Sequence, residues 1–129
     1  MPGQPVVRQL SELPWGTWPP EQIAERGTIA WKDLIGASPE EGTNMVMGVV
    51  RVRRGEILKP HRHSEPECYF TLSGRGLVSV DETLVNVEPG TSIFIPGDAR
   101  HHIENNHDED LLILYTFAVG DWNLVTYRF

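Results

Sequence analysis

From Thr28 to its C-terminus this chain never runs far before a turn signal interrupts it. The segments ASPEEGTN, RRGE, HSEPE, SGRG, VDET, EPG, IPGD and NNHDED succeed one another at short intervals. Between them lie MVMGVVRV, YFTL, LVSV, LVNV, SIFI, LLILYTFAV and LVTYRF, runs of β-branched and aromatic residues without helical periodicity. Short strands at this spacing predict an all-β sandwich or barrel. The chain has no internal repeat and no low-complexity segment.

The first third differs. Residues 1–20 hold five prolines (Pro2, Pro5, Pro14, Pro19 and Pro20), which predicts an extended arm. PPEQIAERG predicts a helical turn, opened by proline, with acids following and Gly27 ending it. We divide the chain into an N-terminal arm, 1–30, and a barrel domain, 31–129. The full 129 residues amount to one ordinary domain. With 18 acidic against 11 basic residues the net charge is −7, which repels phosphate backbones and anionic lipids. Nucleic acid and membrane surfaces are therefore not expected partners. No apolar run approaches a membrane span, and the N-terminus lacks the pattern of a signal peptide. The single cysteine, Cys68, has no internal disulfide partner. A cytoplasmic location is expected.

Strand alternation places the side chains. His61 and His63 share one face, and so do Glu67, Tyr69 and Thr71 on the following strand. Cys68, Phe70 and Leu72 take the opposite face and need cover. Two imidazoles and a carboxylate aimed at one point supply two nitrogens and one oxygen for a divalent transition metal. His101 is the best-placed further ligand, because it follows a strand and a tight turn and begins an apolar stretch. His102 has the opposite parity, and His107 lies in the polar NNHDED loop. Gly55 and Gly74 bracket the paired strands where the chain must turn.

These residues carry a resemblance. GEILKPHRHSEPECYFTLSG matches the first cupin motif, G-x5-H-x-H-x3,4-E-x6-G, at every fixed position: Gly55, His61, His63, Glu67 and Gly74. GTSIFIPGDARHHIEN matches the second, G-x5-P-x-G-x2-H-x3-N, at Gly90, Pro96, His101 and Asn105. It departs only at Asp98, where the motif has glycine; aspartate tolerates left-handed turn geometry, so the turn is expected to survive. The chain thus resembles the small single-domain cupins of the conserved-barrel type. The resemblance implies a jelly-roll (double-stranded β-helix) barrel. Inside it, His61, His63, Glu67 and His101 would hold one divalent transition metal, which could be manganese, iron, nickel or zinc.

Mixed imidazole and carboxylate ligation with open positions suits polarisation of a carbonyl or carboxylate, or capture of dioxygen. Tyr69 has the parity of Glu67, and a phenol beside a cation can act as a base. The pattern H-x-H-x3-E-x-Y also resembles the cupin dimethylsulfoniopropionate lyases. That resemblance implies a metal-held substrate carboxylate and a tyrosine that removes an α-proton. The leading expectation is an enzyme that abstracts a proton next to a metal-bound carboxylate or carbonyl of a small molecule, of lyase or isomerase type. A cupin dioxygenase using iron and O2 and a non-catalytic small-molecule-binding cupin are the alternatives. Of the remaining residues, Arg51 and Arg53 suit a solvated edge. Lys59 shares the parity of His61, so it points toward substrate or forms a salt bridge. Trp15, Trp18 and Trp31 either lid the barrel mouth or pack on a second subunit. A homodimer is expected.

Overall fold

The computed structural model describes residues 3–119 and 124–129. Among these, ten strands form two antiparallel sheets: β1 (Gly16–Thr17), β2 (Ala30–Ile35), β3 (Val46–Val52), β4 (Ile57–His61), β5 (Glu67–Ser73), β6 (Gly76–Val80), β7 (Thr83–Val87), β8 (Ser92–Ile95), β9 (His101–Glu104) and β10 (Leu111–Phe117). The larger sheet has the order β1-β2-β3-β10-β5-β8 and the smaller β4-β9-β6-β7. They face each other as a jelly roll around a core that includes Val46, Val52, Val78, Ile95, Ile103 and Ile113.

Alternation on β5 is as the sequence predicts. Glu67, Tyr69 and Thr71 are buried, while Cys68, Phe70 and Leu72 are exposed. The register then builds a row of inward side chains across the larger sheet: Asp33 opposite Gly48, Gly48 opposite Tyr115, Tyr115 opposite Tyr69. Gly48 is required here. A Cβ at that position would lie 2.4 Å from the Tyr115 hydroxyl, so only glycine lets the phenol lean across β3.

The arm lies against the sheet. β1 pairs with β2, and the Lys32 ammonium reaches back to donate to the Leu10 carbonyl at 2.9 Å. Lys32 and Arg51 both stack on the Trp15 ring, at 4.5 and 4.4 Å from its centroid. Arg51 therefore packs under the arm, outside the lumen, where the sequence suggested a solvated edge. The helix α1 (Pro20–Arg26) opens on proline and stops at Gly27, whose φ is 108°. A side chain at Gly27 would strike the Ile57 carbonyl at 1.8 Å, so the close approach of the arm to β4 needs glycine.

Two local readings are corrected. Lys59 does not share a face with His61. Leu58 pairs with Ile103 and His61 with His101, so β4 carries an extra residue in this interval. The bulge coincides with Pro60, which has no N–H for the ladder. It resets the parity, and Lys59 turns out to donate to the Ala24 carbonyl of α1 at 2.5 Å. The second correction concerns LVTYRF, which is no ladder strand. Its backbone pairing among the described residues is a single bridge between Arg62 and Arg128, with both N–H···O bonds at 2.8 Å. Its alternation persists nonetheless, and Val125, Tyr127 and Phe129 point into the lumen. No helix among the described residues is long and apolar enough to cross a membrane.

Asn105 fastens the loops beside this barrel. Fully buried, it donates from Nδ2 to the carbonyls of Val52 (2.9 Å) and Glu109 (2.8 Å) and accepts from the His107 amide at 2.8 Å. Its own carbonyl accepts from Gly55 at 2.7 Å. Asn105→Ala leaves several buried backbone groups without partners, and we predict a loss of more than about 2 kcal/mol in denaturant melts. The exposed neighbour change Asn106→Ala should stay within about 0.5 kcal/mol of wild type. Equal stability of the two variants would refute this role.

Candidate metal centre

The four side chains singled out by spacing meet in the barrel interior. His61 ends β4, His63 follows it on the connecting loop, Glu67 opens β5 and His101 opens β9. All are buried, none more than 6% exposed. Each imidazole is fixed from behind, its Nδ1 lying at 2.8 Å from the Lys59 carbonyl (His61), 2.8 Å from the Glu65 carbonyl (His63) and 2.9 Å from the Ala99 carbonyl (His101). A carbonyl only accepts, so each Nδ1 carries the proton and each Nε2 presents a lone pair. One ring nitrogen from each histidine lies within 4.8 Å of the others. Glu67 Oε1 sits 3.2 Å from His63 Nε2 and 3.3 Å from His101 Nε2.

Such convergence of lone pairs is repulsive unless a cation or protons lie between them. The His101 Nε2 is the sharpest sign, being buried and without a hydrogen bond, since Glu67 lies beside it without hydrogen-bond alignment. Burial, with His101 close by, lowers the His61 pKa to about 3, so its imidazole is neutral. At His63 burial is outweighed by the Glu67 carboxylate and the Glu65 carbonyl, and the pKa rises. Burial likewise pushes Glu67 up, but His101 and His63 at its oxygens more than offset this and hold the carboxyl below its usual range. Three neutral-tautomer imidazoles and one carboxylate fit a divalent transition metal.

Flanking rings lock the imidazoles. Phe129 stacks on His61 with centroids 4.9 Å apart, and Phe117 on His63 at 5.3 Å. The cluster borders a cavity of about 520 Å3, the volume of a small-molecule site. Tyr69 lines this cavity and its hydroxyl has no hydrogen-bond partner among the described residues. Without a cation, burial and the Glu67 charge push the Tyr69 phenol well above its ordinary pKa, the reverse of what a base needs. Outside the cluster, His102 faces away with Nε2 at 3.4 Å from Glu104, and His107 is exposed. Trp18 and Trp31 line the cavity, whereas Trp15 stays on the outer face.

The sequence reading missed Asp33, Tyr115, Tyr127 and Phe129, all of which line the cavity. Their signal was parity: Asp33 stands two residues after Trp31, and Tyr127 and Phe129 alternate along the terminal run.

Comparison with known proteins places this geometry. The Cupin domain model matches residues 48–117. The dimethylsulfoniopropionate lyase DddW of Ruegeria pomeroyi is 35% identical over 103 residues, which is 80% of this chain and 67% of that protein. An acireductone dioxygenase of Bacillus anthracis is 31% identical over 68 residues, covering 49% of this chain and 40% of that protein. In fold, a Thermotoga maritima protein described as a predicted oxalate decarboxylase superposes with a TM-score of 0.74 at 24% identity, over 88% of this chain and 98% of the other.

The centre predicts a stoichiometry. Elemental analysis should find about one divalent ion per chain, and His61→Ala or His101→Ala should each lose most of it. His102→Ala and His107→Ala should keep it. Full occupancy in His101→Ala would refute the assignment.

Proposed function

The chain belongs to the cupin family, and from that premise we propose a metal-dependent enzyme that abstracts a proton next to the carboxylate of a small molecule. Its ligands are His61, His63, Glu67 and His101. The carrying observation is that Glu67 and Tyr69 stand on one wall of the cavity, so the imidazole cluster and an unpartnered phenol border the same space. A divalent cation held there would supply the Lewis acidity that polarises a substrate carboxylate and acidifies the adjacent C–H.

The residues of the chain do the rest. Beside a bound cation the Tyr69 phenol would ionise, against the upward push of burial, and the resulting phenolate would take the proton from carbon; its ring is held by burial at 4% exposure. The aromatic walls exclude water and orient the ligand. Departure of a leaving group from the neighbouring carbon gives a lyase; return of the proton elsewhere gives an isomerase. The 35% identity to a dimethylsulfoniopropionate lyase supports the first outcome. The similarity to acireductone dioxygenases supports a second reading, an iron enzyme consuming O2 at the same four ligands.

Turnover of dimethylsulfoniopropionate under strict anaerobiosis separates the two. We expect undiminished activity without oxygen, and activity with a redox-inert ion such as zinc. Tyr69→Phe should keep the metal and lower turnover by roughly 10²–10⁴-fold, as for a lost general base. Activity that vanishes without oxygen and tolerates Tyr69→Phe would replace the lyase with the dioxygenase.

We further propose a homodimer. The outer face of β5 and β8 exposes Phe70 (43%), Leu72 (40%) and Phe94 (63%) together, an apolar surface that a second copy would cover. Light scattering should report twice the 14.6 kDa chain mass, falling toward one chain in Phe70→Lys/Phe94→Lys. A monomeric wild type would end this part of the proposal.

A further inference from the structure

The metal cluster and Tyr69 leave one charged group of the cavity without a task. Asp33 lies on β2, two residues beyond Trp31, and both side chains line the cavity. It has no hydrogen bond or ion pair among the described residues. Arg8, the basic group whose charge acts on it, is committed elsewhere: it clasps Glu41 with two bonds of 3.0 Å and donates to the Leu34 carbonyl at 2.7 Å. A half-buried carboxylate left without a partner on a cavity wall costs stability unless a ligand meets it.

The surroundings say what kind of ligand. Beside Asp33 in the sheet is Gly48, which offers no side chain, and beyond it Tyr115 leans across. Trp31 packs against Trp18 with centroids 4.6 Å apart and planes tilted by 53°, and among the described residues no cation covers the Trp31 ring. Arg26 lies over Trp18 and Phe129, at 4.8 and 4.9 Å, but does not line the cavity. The wall is therefore electron-rich aromatic faces around one negative charge, with few hydrogen-bond acceptors. That is a surface for a cation whose charge is wrapped in alkyl groups, not for a primary ammonium that needs three acceptors.

We propose that Asp33 is the specificity-determining residue of the cavity, and that with the face of Trp31 it holds an alkylated onium group of a small dipolar ligand. The opposite end, a carboxylate, lies at the imidazole cluster; this half rests on the reading under Proposed function. Asp33 and Tyr69 are three strand spacings apart in one cross-sheet row, roughly 14 Å between main chains. Both side chains reach inward from the ends of that row, which leaves the span of a small molecule. Burial raises the Asp33 pKa, with Arg8 opposing and Glu41 adding to the rise, so a bound cation would relieve an unfavourable charge.

The test uses metal-loaded full-length protein and tryptophan fluorescence. Tetramethylammonium has no carboxylate, so it probes Asp33 alone; wild type should respond saturably and Asp33→Asn should bind at least about tenfold more weakly. Wild type should also bind β-alanine betaine at least about tenfold tighter than the neutral carbon isostere, in which tert-butyl replaces trimethylammonio. In Asp33→Asn that ratio should fall to about one, while metal content and melting temperature hold. Absence of a response to tetramethylammonium, equal binding of betaine and isostere to wild type, or a preference surviving in Asp33→Asn would each overturn the proposal. The wild-type comparisons need no variant, so a folding defect cannot rescue it. Failure of the carboxylate reading appears separately, as isostere binding that is unchanged when a chelator removes the metal.

Discussion

Three imidazole lone pairs and a carboxylate oxygen are aimed at one buried point, and the rest of this barrel is arranged to keep them there. Left alone, these groups repel one another and their burial forfeits hydration. They stay because each Nδ1 is tied to a backbone carbonyl and two of the rings are stacked on phenylalanines, so rotation away is blocked. A divalent ion would turn the same arrangement from a liability into a source of stability, since binding to the folded state alone favours it.

The loops that carry the ligands are held by equally specific contacts. Asp98 adopts φ of 63°, the left-handed conformation usually left to glycine, and its amide donates to the His63 carbonyl at 2.8 Å. Gly97 passes so close to the Ser64 carbonyl that a Cβ would come within 2.4 Å of it. The turn before His101 is thereby clamped onto the loop carrying His63, and Arg128 pairs with the Asp98 carboxylate from the C-terminal run. Aspartate at this position thus keeps the turn and adds an anchor for the segment that delivers Tyr127 and Phe129 to the cavity.

Much of this was legible in the chain. The convergence of His61, His63 and Glu67 was legible from spacing and parity, and His101 joined them through the cupin resemblance, because ligand chemistry demands particular side chains at particular positions. On β5 the alternation of Glu67, Tyr69 and Thr71 against Cys68, Phe70 and Leu72 gave the inner and outer faces, since nothing interrupts that ladder. Where a ladder is interrupted, parity misleads, as with Lys59 in the bulge between Leu58 and His61. β2 was not recognised as a strand because AWKDLI carries two charges: Lys32 is met by the arm, while Asp33 faces the cavity. Both surroundings are tertiary, and a one-dimensional pattern holds no trace of them. The terminal LVTYRF kept the period of a strand without a partner strand, which alternation alone does not distinguish.

The centre itself is tested most directly by the electronic spectrum of cobalt-loaded protein during titration with a small carboxylate. Three histidines and one glutamate as ligands would leave coordination positions open, so the d–d bands should shift saturably as the carboxylate replaces water, and His101→Ala should show no such bands. A cobalt spectrum that does not respond to any small carboxylate would mean a saturated metal and would contradict a substrate-binding centre.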